Sequence, residues 1–375
     1  MKQVIQDLNS GKTLVENVPS PILLPKTILV DSKKSLISLG TEKNLVSFGK
    51  DNLLKKALKN PDRLMDVFEK VKTDGFISAY EAVNSKLNQP MPLGYCNAGT
   101  VRESNLDEFK PGDRVLTNGP HAGIIRSSLN MTSLIPNSVS FKEATFGIVG
   151  AIGLQGVRLA KPEIGETVVV IGLGLVGLMT VQILKASGLK VIASDLNLER
   201  CKLAEEYGAE IIHISDETDL VSSCLNKTSG VGADAVLICA STESNDLIYQ
   251  AAKLSRKRGR IILIGVVGLN LRRDIFYEKE ITFQVSSSYG PGRYDLEYEL
   301  LGKDYPIEYV RWTSKRNIDT VLSLIEKKKI ILDKLISSEY DIENANQAYK
   351  EIFNANSIGI LISYDQENEI KKETK

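Results

Sequence analysis

The sequence has few of the residues from which proteins build metal centres and disulfide networks. It contains two histidines and four cysteines in 375 residues, and no pair of cysteines has the CxxC spacing. Neither a cysteine-rich zinc site nor a disulfide framework is therefore indicated. Because scattered free cysteines are typical of a reducing compartment, we expect a cytoplasmic protein.

Net charge and long apolar runs are also missing. The 47 Lys and Arg residues equal the 47 Asp and Glu residues in number, so the chain lacks the overall basic character of nucleic-acid-binding proteins. Its apolar runs are too short to span a bilayer, and its N-terminal residues do not resemble a signal peptide. We therefore expect a small-molecule substrate, with neither nucleic acid nor membrane as a partner.

What the sequence does contain is a regular alternation of apolar runs and helical patterns. Six short apolar runs follow one another in its second half: TVVVIG, KVIASD, EIIHIS, DAVLICAS, RIILIG and ITFQVSSS. The segments between them have helical character, which predicts an α/β fold with a doubly wound parallel sheet of the Rossmann type over 146–288. A chain of 375 residues is long enough for two domains.

A glycine motif follows the first of these runs. Gly172, Gly174 and Gly177 form GxGxxG between a predicted strand and a predicted helix, which is the context that a dinucleotide-binding motif requires. The backbone at Leu175 and Val176 would then present helix N-terminal N–H groups to a pyrophosphate. The alternative is a tight turn in an α/β protein that binds no nucleotide.

An acidic residue stands where the adenosine ribose is bound in such motifs. Asp195 ends the next predicted strand, 23 positions after Gly172. A carboxylate there accepts hydrogen bonds from ribose hydroxyls and repels a 2′-phosphate, so the motif predicts NAD as cofactor. The ends of later strands complete the predicted cofactor site, at Ala240, Gly265 and Val266.

A basic run, KLSRKRGR over residues 253–260, offers an alternative site for a 2′-phosphate. We interpret it instead as the solvated end of a helix, where cations favourably meet the helix dipole. The run is also several elements away from the strand that ends at Asp195, which argues against a role in binding the ribose.

Residues 43–93 are predicted to be a helical insertion. Asn60 and Pro61 have the pattern of a helix start, and apolar residues then follow at helical spacing. The insertion is either a lid over the active site or an element of packing or oligomerisation, and the sequence leaves both open. The charged tail, 366–375, is predicted to be disordered.

The order of the motifs resembles that of the medium-chain dehydrogenase/reductase superfamily. The resemblance covers almost the full length through LISLGTE, LGYCNAGTV, KPGDRV, the glycine motif and KLISSEYDIENANQAYKEI. It implies that 1–145 and 289–365 together form a mostly β, GroES-like catalytic domain. It also implies that two copies form a homodimer through the edge strand of the Rossmann sheet.

A narrower resemblance is carried by SLISLGTE, PLGYCNAGTV, FYEKEITFQVSSSYGPGRYD and YPIEYVRWT. These stretches are similar to a zinc-free subgroup, often the N-terminal half of bacterial bi-domain oxidoreductases linked to surface polysaccharide synthesis. A sugar-oxidoreductase domain follows in those proteins. The 375 residues do not include one, so the resemblance implies a separate sugar-oxidoreductase partner.

The resemblance also places the zinc ligands of related enzymes on this sequence. Leu39 matches a cysteine ligand, Tyr95 a histidine ligand, Cys96 the glutamate beside the metal, and Ile148 the third ligand. Leucine, tyrosine and isoleucine do not supply the donors of a zinc site. We therefore expect no metal.

Three residues are candidates for the work that zinc does in those relatives. Tyr95 and His121 are the acid/base candidates, and Thr41 matches the hydroxyl that relays protons. Each also has a purely structural interpretation: Tyr95 as filler of the vacated metal cavity, His121 as a loop residue, and Thr41 as a local hydrogen-bonding group. For substrate recognition the candidates are Arg293, Arg311 and Trp312, whose side chains suit a phosphate, carboxylate or sugar ring.

Three functions compete on these observations. The leading hypothesis is a zinc-independent, NAD(H)-dependent oxidoreductase that acts on a hydroxyl/carbonyl pair, in the subgroup's case of a sugar or sugar nucleotide. The second is an NAD(P)H-dependent quinone or enoyl reductase, although Asp195 opposes NADPH. The third is a non-catalytic NAD-binding module that supports a partner enzyme.

Overall fold

The computed structural model describes residues 1–7, 10–50, 90–215 and 218–364 of the chain. The strands within these ranges are β1 Lys2–Gln6, β2 Thr13–Asn17, β3 Thr27–Ser38, β4 Met91–Pro92, β5 Asn97–Ser104, β6 Arg114–Thr117, β7 Ile124–Ser128, β8 Thr132–Leu134, β9 Thr167–Ile171, β10 Lys190–Asp195, β11 Glu210–His213, β12 Ala233–Ile238, β13 Ser255–Leu263, β14 Thr282–Val285, β15 Ile336–Asp341 and β16 Gly359–Ser363. The helices are α1 Leu39–Lys50, α2 Phe141–Ala144, α3 Gly147–Ala160, α4 Leu175–Ala186, α5 Leu198–Glu206, α6 Leu220–Lys227, α7 Asp246–Leu254, α8 Arg273–Lys279, α9 Leu296–Leu301, α10 Ser314–Glu326 and α11 Ala345–Glu351.

The six predicted apolar runs form one parallel sheet. Its strand order is β11-β10-β9-β12-β13-β14, and every neighbouring pair is parallel. The central strands β9 and β12 are almost wholly buried, as expected for strands covered by helices on both faces. The predicted doubly wound Rossmann sheet is confirmed, and its topological switch point lies between the carboxyl ends of β9 and β12.

The other strands form a mainly antiparallel sheet and a small three-stranded sheet. The larger one has the order β15-β16-β3-β5-β6-β8, with β7 also paired to β3, and the smaller one has the order β2-β1-β4. The chain returns to the larger sheet after the Rossmann strands, because β16 pairs with β3 near the start of the chain. This sheet-rich unit is the predicted catalytic domain.

Helix α3 connects the two sheets and packs against α4 and α10. Glycines in α3 permit this close approach: a Cβ added at Gly150 would lie 2.6 Å from Cγ1 of Val321 in α10. Buried side chains of both units, among them Leu36, Leu116 and Val168, belong to one continuous apolar cluster. The two sheets are therefore held together by a shared core.

The basic run over 253–260 ends a helix, as predicted, only in its first two residues. Lys253 and Leu254 close α7, and the other six residues form the start of β13. Its arginines pair with acids at the amino ends of neighbouring strands: Arg256 Nε lies 2.6 Å from Asp234 Oδ1, and Arg260 Nη2 lies 2.6 Å from Glu166 Oε2. These ion pairs hold the charged residues at the amino-terminal ends of the strands. Asp195 lies at the carboxyl end of β10, on the other side of the sheet's length.

The helix predicted to start at Asn60 lies outside the described residues, as do most of the insertion and the tail. Of residues 43–93, the described part continues α1 to Lys50 and resumes before β4. In the described ranges, no helix combines the length and apolar character needed to cross a membrane.

Candidate active site

The glycine motif forms a tight turn between β9 and α4. Gly172 has φ +93°, and a Cβ added there would lie 2.6 Å from the backbone nitrogen of Ala240. A Cβ added at Gly177 would lie 1.9 Å from the carbonyl oxygen of Gly172. Only glycine is compatible with both contacts, so the turn brings the start of α4 close to the carboxyl end of β9.

Gly174 differs from these two glycines. It is the N-cap of α4, no side chain caps the helix, and a Cβ added at Gly174 would have no protein atom within 4 Å. The first N–H groups of the helix, at Leu175 and Val176, have no intrahelical acceptor. Free N–H groups, the positive end of the helix dipole and open space suit a pyrophosphate.

Asp195 ends β10 beside this turn. Its carboxylate accepts hydrogen bonds from the backbone N–H groups of Leu173 and, at 2.8 Å, Asn197. Each oxygen holds one of these bonds and keeps acceptor capacity for a ligand hydroxyl. The carboxylate is thereby fixed at the position where an adenosine ribose would approach.

The remaining predicted cofactor residues meet at the carboxyl ends of β12 and β13. A Cβ added at Gly265 would lie 2.0 Å from the carbonyl oxygen of Ala240, and the Val266 N–H donates to the same carbonyl at 3.1 Å. The Val266 side chain is exposed. The structure therefore brings the glycine motif, Asp195 and these three residues to one edge of the sheet.

In the catalytic domain, the phenol of Tyr95 lacks a hydrogen-bond partner. Its hydroxyl is buried and makes no hydrogen bond of normal geometry with any described residue. The side chains of Ser38 and Thr41 lie beside it and favour its ionised form, but burial, followed by Cys96 and Glu42, raises the pKa of Tyr95 above its ordinary value. The phenol is therefore a neutral donor that no hydrogen bond of normal geometry engages, which is unusual for a buried hydroxyl.

A buried carboxylate, Glu42, lies in the first turn of α1. It accepts hydrogen bonds from the backbone N–H of Ser38 at 3.0 Å and from the Tyr349 hydroxyl. Nε2 of His121 lies 3.2 Å from its Oε2. Both oxygens are thus engaged, and the side chain is fully enclosed.

His121 is equally enclosed. Its Nδ1 lies 2.7 Å from the hydroxyl of Ser35, which in turn lies 2.7 Å from the hydroxyl of Tyr364. The imidazole packs against Gly94, where an added Cβ would come within 2.5 Å of the ring. Because both ring nitrogens are occupied and no surface is exposed, any proton that His121 exchanges passes through Ser35 or Glu42.

The neighbouring thiol of Cys96 is inert in this setting. Burial, together with the nearby Glu42 carboxylate, raises the pKa of Cys96 well above its ordinary value, although a hydrogen bond with the Val149 backbone opposes this. A thiol that stays protonated is neither a nucleophile nor a metal ligand.

The side chains here do not fit a catalytic zinc ion. Leu39, Tyr95 and Ile148 occupy the three positions that the resemblance gives to ligands, and the nearest carboxylate and imidazole already bind each other. No group of three or more His, Cys, Asp and Glu side chains suited to a metal occurs in the described part of the chain. A tetrahedral site needs four such donors, or three and a water.

The zinc-binding dehydrogenase family matches residues 176–302 of the chain. This segment begins inside the glycine motif and includes β10 to β14, so the match supports a nicotinamide dinucleotide at the edge of the sheet described above. The chain is an oxidoreductase that is similar to medium-chain dehydrogenases. The matched segment does not contain Leu39, Tyr95 or Ile148 and therefore does not bear on zinc.

Curated relatives of this dehydrogenase resemble it over much of its length. A sorbitol dehydrogenase of Halalkalibacterium halodurans is 25% identical over 272 residues, which are 72% of this chain and 73% of the relative. A D-arabitol-phosphate dehydrogenase of Enterococcus avium is 23% identical over 280 residues, 73% of this chain and 72% of the relative. An uncharacterised zinc-type alcohol dehydrogenase-like protein of Escherichia coli is 27% identical over 250 residues, 57% of this chain and 71% of the relative.

Solved structures show the same fold in such dehydrogenases. An Escherichia coli oxidoreductase of unknown specificity matches 98% of this chain and all of its own with a TM-score of 0.74 and 20% identity. The alcohol dehydrogenase of Thermus sp. ATN1 matches 97% of this chain and all of its own with a TM-score of 0.73 and 19% identity. The α/β architecture with a Rossmann sheet and a sheet-rich catalytic domain is thereby confirmed.

The substrate candidates of this dehydrogenase have different partners. Arg293 pairs with Glu299 and stacks on Tyr294, with its Cζ 4.3 Å from the ring centroid. Arg311 instead stacks on Trp312 at 4.0 Å. The structure therefore joins Arg311 to Trp312 and gives Arg293 a carboxylate partner of its own.

Sequence reasoning missed two features of the dehydrogenase. The first is the pairing of Glu42 with His121, which is 79 positions away in the chain. The second is Tyr289, whose buried hydroxyl has no hydrogen-bond partner among the described residues. Tyr289 stands in the glycine-rich loop after β14, and that loop composition was the only available signal.

Proposed function

We propose that the chain is a metal-independent, NAD(H)-preferring oxidoreductase that transfers a hydride between the nicotinamide ring and a hydroxyl/carbonyl substrate of the polyol or sugar class. The observation that carries this proposal is the buried, unpartnered hydroxyl of Tyr95. It lies at the position of a zinc ligand in the resemblance, and a buried donor without an acceptor is costly unless a ligand supplies one.

Tyr95 takes over the polarisation of the substrate oxygen in this proposal. When bound, the nicotinamide supplies or accepts the hydride. The neutral phenol donates a hydrogen bond to the carbonyl oxygen, where negative charge develops. Because burial raises the pKa of Tyr95, the phenol stays protonated at neutral pH. When a substrate hydroxyl is oxidised, its proton passes to the phenol oxygen while the phenol gives its own proton to Thr41, whose side chain lies beside it, and from there to solvent; reduction of a carbonyl uses the same path in reverse.

The preference for NAD(H) rests on Asp195. Its carboxylate is held by the N–H groups of Leu173 and Asn197, so it does not swing away from a ligand. A 2′-phosphate placed beside it meets a fixed negative charge, whereas ribose hydroxyls find free acceptor positions.

The substrate class is supported by the names of the relatives. Two of them are a sorbitol dehydrogenase and a D-arabitol-phosphate dehydrogenase, and another is a D-guloside 3-dehydrogenase of Escherichia coli that is 26% identical over 271 residues. The sugar-linked subgroup resemblance points in the same direction. A polyol or sugar hydroxyl is therefore the first substrate to examine.

Cofactor binding and turnover test the proposal together. The purified protein is titrated with NADH and NADPH, and it is then assayed with NAD and a panel of polyols, sugars and sugar phosphates, and with NADH and quinones or enoyl substrates. We expect tighter binding of NADH, a loss of this preference in Asp195→Ser, and turnover of a panel member. Turnover of quinones or enoyl substrates alone supports the reductase alternative, and binding without any turnover supports a non-catalytic module.

We also propose a homodimer through β14. This strand pairs with β13 on one side, and its other edge has no strand beside it within the described ranges. Val285 in β14 is 53% exposed, and an apolar open edge favours pairing with a second copy. Light scattering should give twice the chain mass for the native protein and the single mass for Val285→Lys.

A further inference from the structure

The loop that follows β14 carries a tyrosine, Tyr289, whose phenol is enclosed but unpartnered. The side chain is 2% exposed, and its hydroxyl makes no hydrogen bond with any described residue. A buried hydroxyl almost always has a hydrogen-bond partner, and leaving one without an acceptor costs free energy. The hydroxyl therefore calls for an acceptor that a ligand supplies.

Tyr289 lies just beyond the edge of the sheet that holds the predicted cofactor residues. β14 is parallel to β13, and the backbone N–H of Ser286 donates to the carbonyl oxygen of Leu263 at 2.8 Å where both strands end. Gly265 follows β13 by two residues, and Tyr289 follows the last residue of β14 by four. The loop therefore begins beside the predicted dinucleotide site.

Two contacts hold the ring of Tyr289 in place. Its backbone oxygen accepts a hydrogen bond from Nδ2 of Asn317 at 2.9 Å. The guanidinium of Arg293 lies over the ring, with Cζ 5.8 Å from the ring centroid, and Arg293 is itself paired with Glu299. Because a cation over an aromatic face attracts the ring, the hydroxyl is a positioned donor.

Tyr289 shares its surroundings with Tyr95. It belongs to the same buried apolar cluster as Cys96, and Tyr95 packs against that cluster. Burial, with a further contribution from Cys96, raises the pKa of Tyr289, although Arg293 opposes the rise. Burial and then Cys96 also raise the pKa of Tyr95. Both phenols are therefore neutral donors in the neighbourhood of Cys96.

Tyr207 shows that this combination is not common to every unpartnered phenol. Its hydroxyl is also buried without a partner in the described part of the chain. It lies at the end of α5, however, where burial and then Glu206 and Asp333 raise its pKa. Of the described phenols without a partner, Tyr95 and Tyr289 are the two near Cys96.

We propose that Tyr289 orients the substrate by donating a hydrogen bond to the hydroxyl next to the reacting carbon, so that the enzyme takes vicinal diols. This inference rests on the proposed function, in which Tyr95 binds the reacting oxygen. Polyols and sugars carry an oxygen on the neighbouring carbon and supply both phenols with an acceptor. A simple alcohol leaves Tyr289 unpaired, and a site with an unpaired buried donor discriminates against such a substrate.

The test uses two alcohols that differ only in this hydroxyl, 2,3-butanediol and 2-butanol, each assayed with NAD. We expect a higher kcat/KM for the diol in the native protein. In Tyr289→Phe, KM for the diol should rise about fivefold, as the loss of one neutral hydrogen bond predicts. Its kcat should stay nearly unchanged, because the bond holds the ground state and the transition state alike. The constants for 2-butanol should not change.

Tyr294→Phe is the matched control. Tyr294 lies in the same loop and stacks on the same arginine, Arg293, but its side chain is 68% exposed, so the variant should have native kinetics. Tyr289→Phe should melt at the native temperature or above it, because the lost hydroxyl has no partner among the described residues. A lower melting temperature, an unchanged KM for the diol, or an equal change for both alcohols overturns the role of Tyr289.

Failure of the proposed function gives a different result. If the native protein turns over neither alcohol, sorbitol is titrated into the protein–NADH complex and binding is followed by NADH fluorescence. Weaker binding in Tyr289→Phe then supports a hydrogen bond from Tyr289 to a polyol, and equal affinity or no binding overturns it. Native kinetics in Tyr289→Phe together with slow turnover in Tyr95→Phe leave the proposed function intact and remove this inference alone.

Discussion

His121 and Glu42 form a buried acid–imidazole pair, with Nε2 of His121 3.2 Å from Oε2 of Glu42 and no exposed surface on either side chain. The pair lies next to the turn that carries Tyr95, because the imidazole of His121 packs on Gly94, the residue before Tyr95. The proposed active site is therefore supported by a polar cluster at the place where the resemblance puts the metal of zinc-dependent relatives.

The first prediction concerns the stability that this pair provides. Glu42→Ala leaves His121, Tyr349 and the Ser38 N–H without their acceptor, so we expect the free energy of unfolding to fall by about 3–5 kcal/mol. Glu297→Ala removes an exposed ion pair with Lys303 and should cost less than about 1 kcal/mol. Urea denaturation measures the free energy of unfolding of both variants. Equal losses would contradict a larger contribution of the buried pair to stability.

Tyr95→Phe separates catalysis from packing. The removed hydroxyl has no partner among the described residues, so the variant should be as stable as the native protein or more stable. Turnover should nevertheless fall by about 10²–10⁴-fold, the usual contribution of a positioned acid. Tyr207→Phe is the control, since the Tyr207 hydroxyl is also buried and unpartnered but belongs to the Rossmann domain. Unchanged kcat in Tyr95→Phe removes this residue from the mechanism.

Two glycine substitutions distinguish a glycine that the cofactor requires from a glycine that the packing of the turn requires. Gly177→Ala places a methyl group against the Gly172 carbonyl, 1.9 Å away, whereas Gly174→Ala meets no protein atom within 4 Å. We expect Gly177→Ala to lower the melting temperature and Gly174→Ala to leave it nearly unchanged. NADH affinity should fall in both variants, because the methyl group at Gly174 occupies the space of the pyrophosphate. Native affinity in Gly174→Ala would contradict this position for the cofactor.

The reactivity of the thiols gives a prediction about pH. Burial raises the pKa of Cys96, Cys201, Cys224 and Cys239, so each thiol stays protonated at neutral pH and its thiolate appears only at higher pH. A colorimetric thiol reagent should therefore react slowly with the folded protein at pH 7, and faster as the pH approaches the raised pKa values, about 11 for Cys224 and about 12 for Cys239. All four should react at once in denaturant. Rapid labelling of Cys96 at pH 7 would be incompatible with its surroundings.

The Rossmann sheet was predictable because its signals are local. Each buried strand is a short apolar run between turns, and the glycine motif and Asp195 stand at fixed distances along the chain. Burial explains the apolar runs, and the backbone geometry of a tight turn explains the glycine motif, so both are visible in a short stretch of sequence. The direction of the sheet and the edge that binds the cofactor follow from them.

The basic run over 253–260 shows where local patterns fail. A cluster of cations after an apolar segment is typical of a helix end. Here Asp234 in β12 and Glu166, just before β9, pair with the arginines of the run and favour a strand. The same limit applies to Glu42 with His121 and to Arg158 with Trp312, which are 79 and 154 positions apart. Contacts between distant residues depend on tertiary packing, which no window of sequence contains.

The zinc content of the active protein tests the central claim most directly. The chain is purified without chelators, its zinc is determined by mass spectrometry of the dissolved metal, and turnover is measured on the same sample before and after dialysis against a chelator. The donor set at Leu39, Tyr95 and Ile148 predicts well below one zinc ion per chain and unchanged turnover after dialysis. About one zinc ion per chain, lost together with activity, would contradict the account.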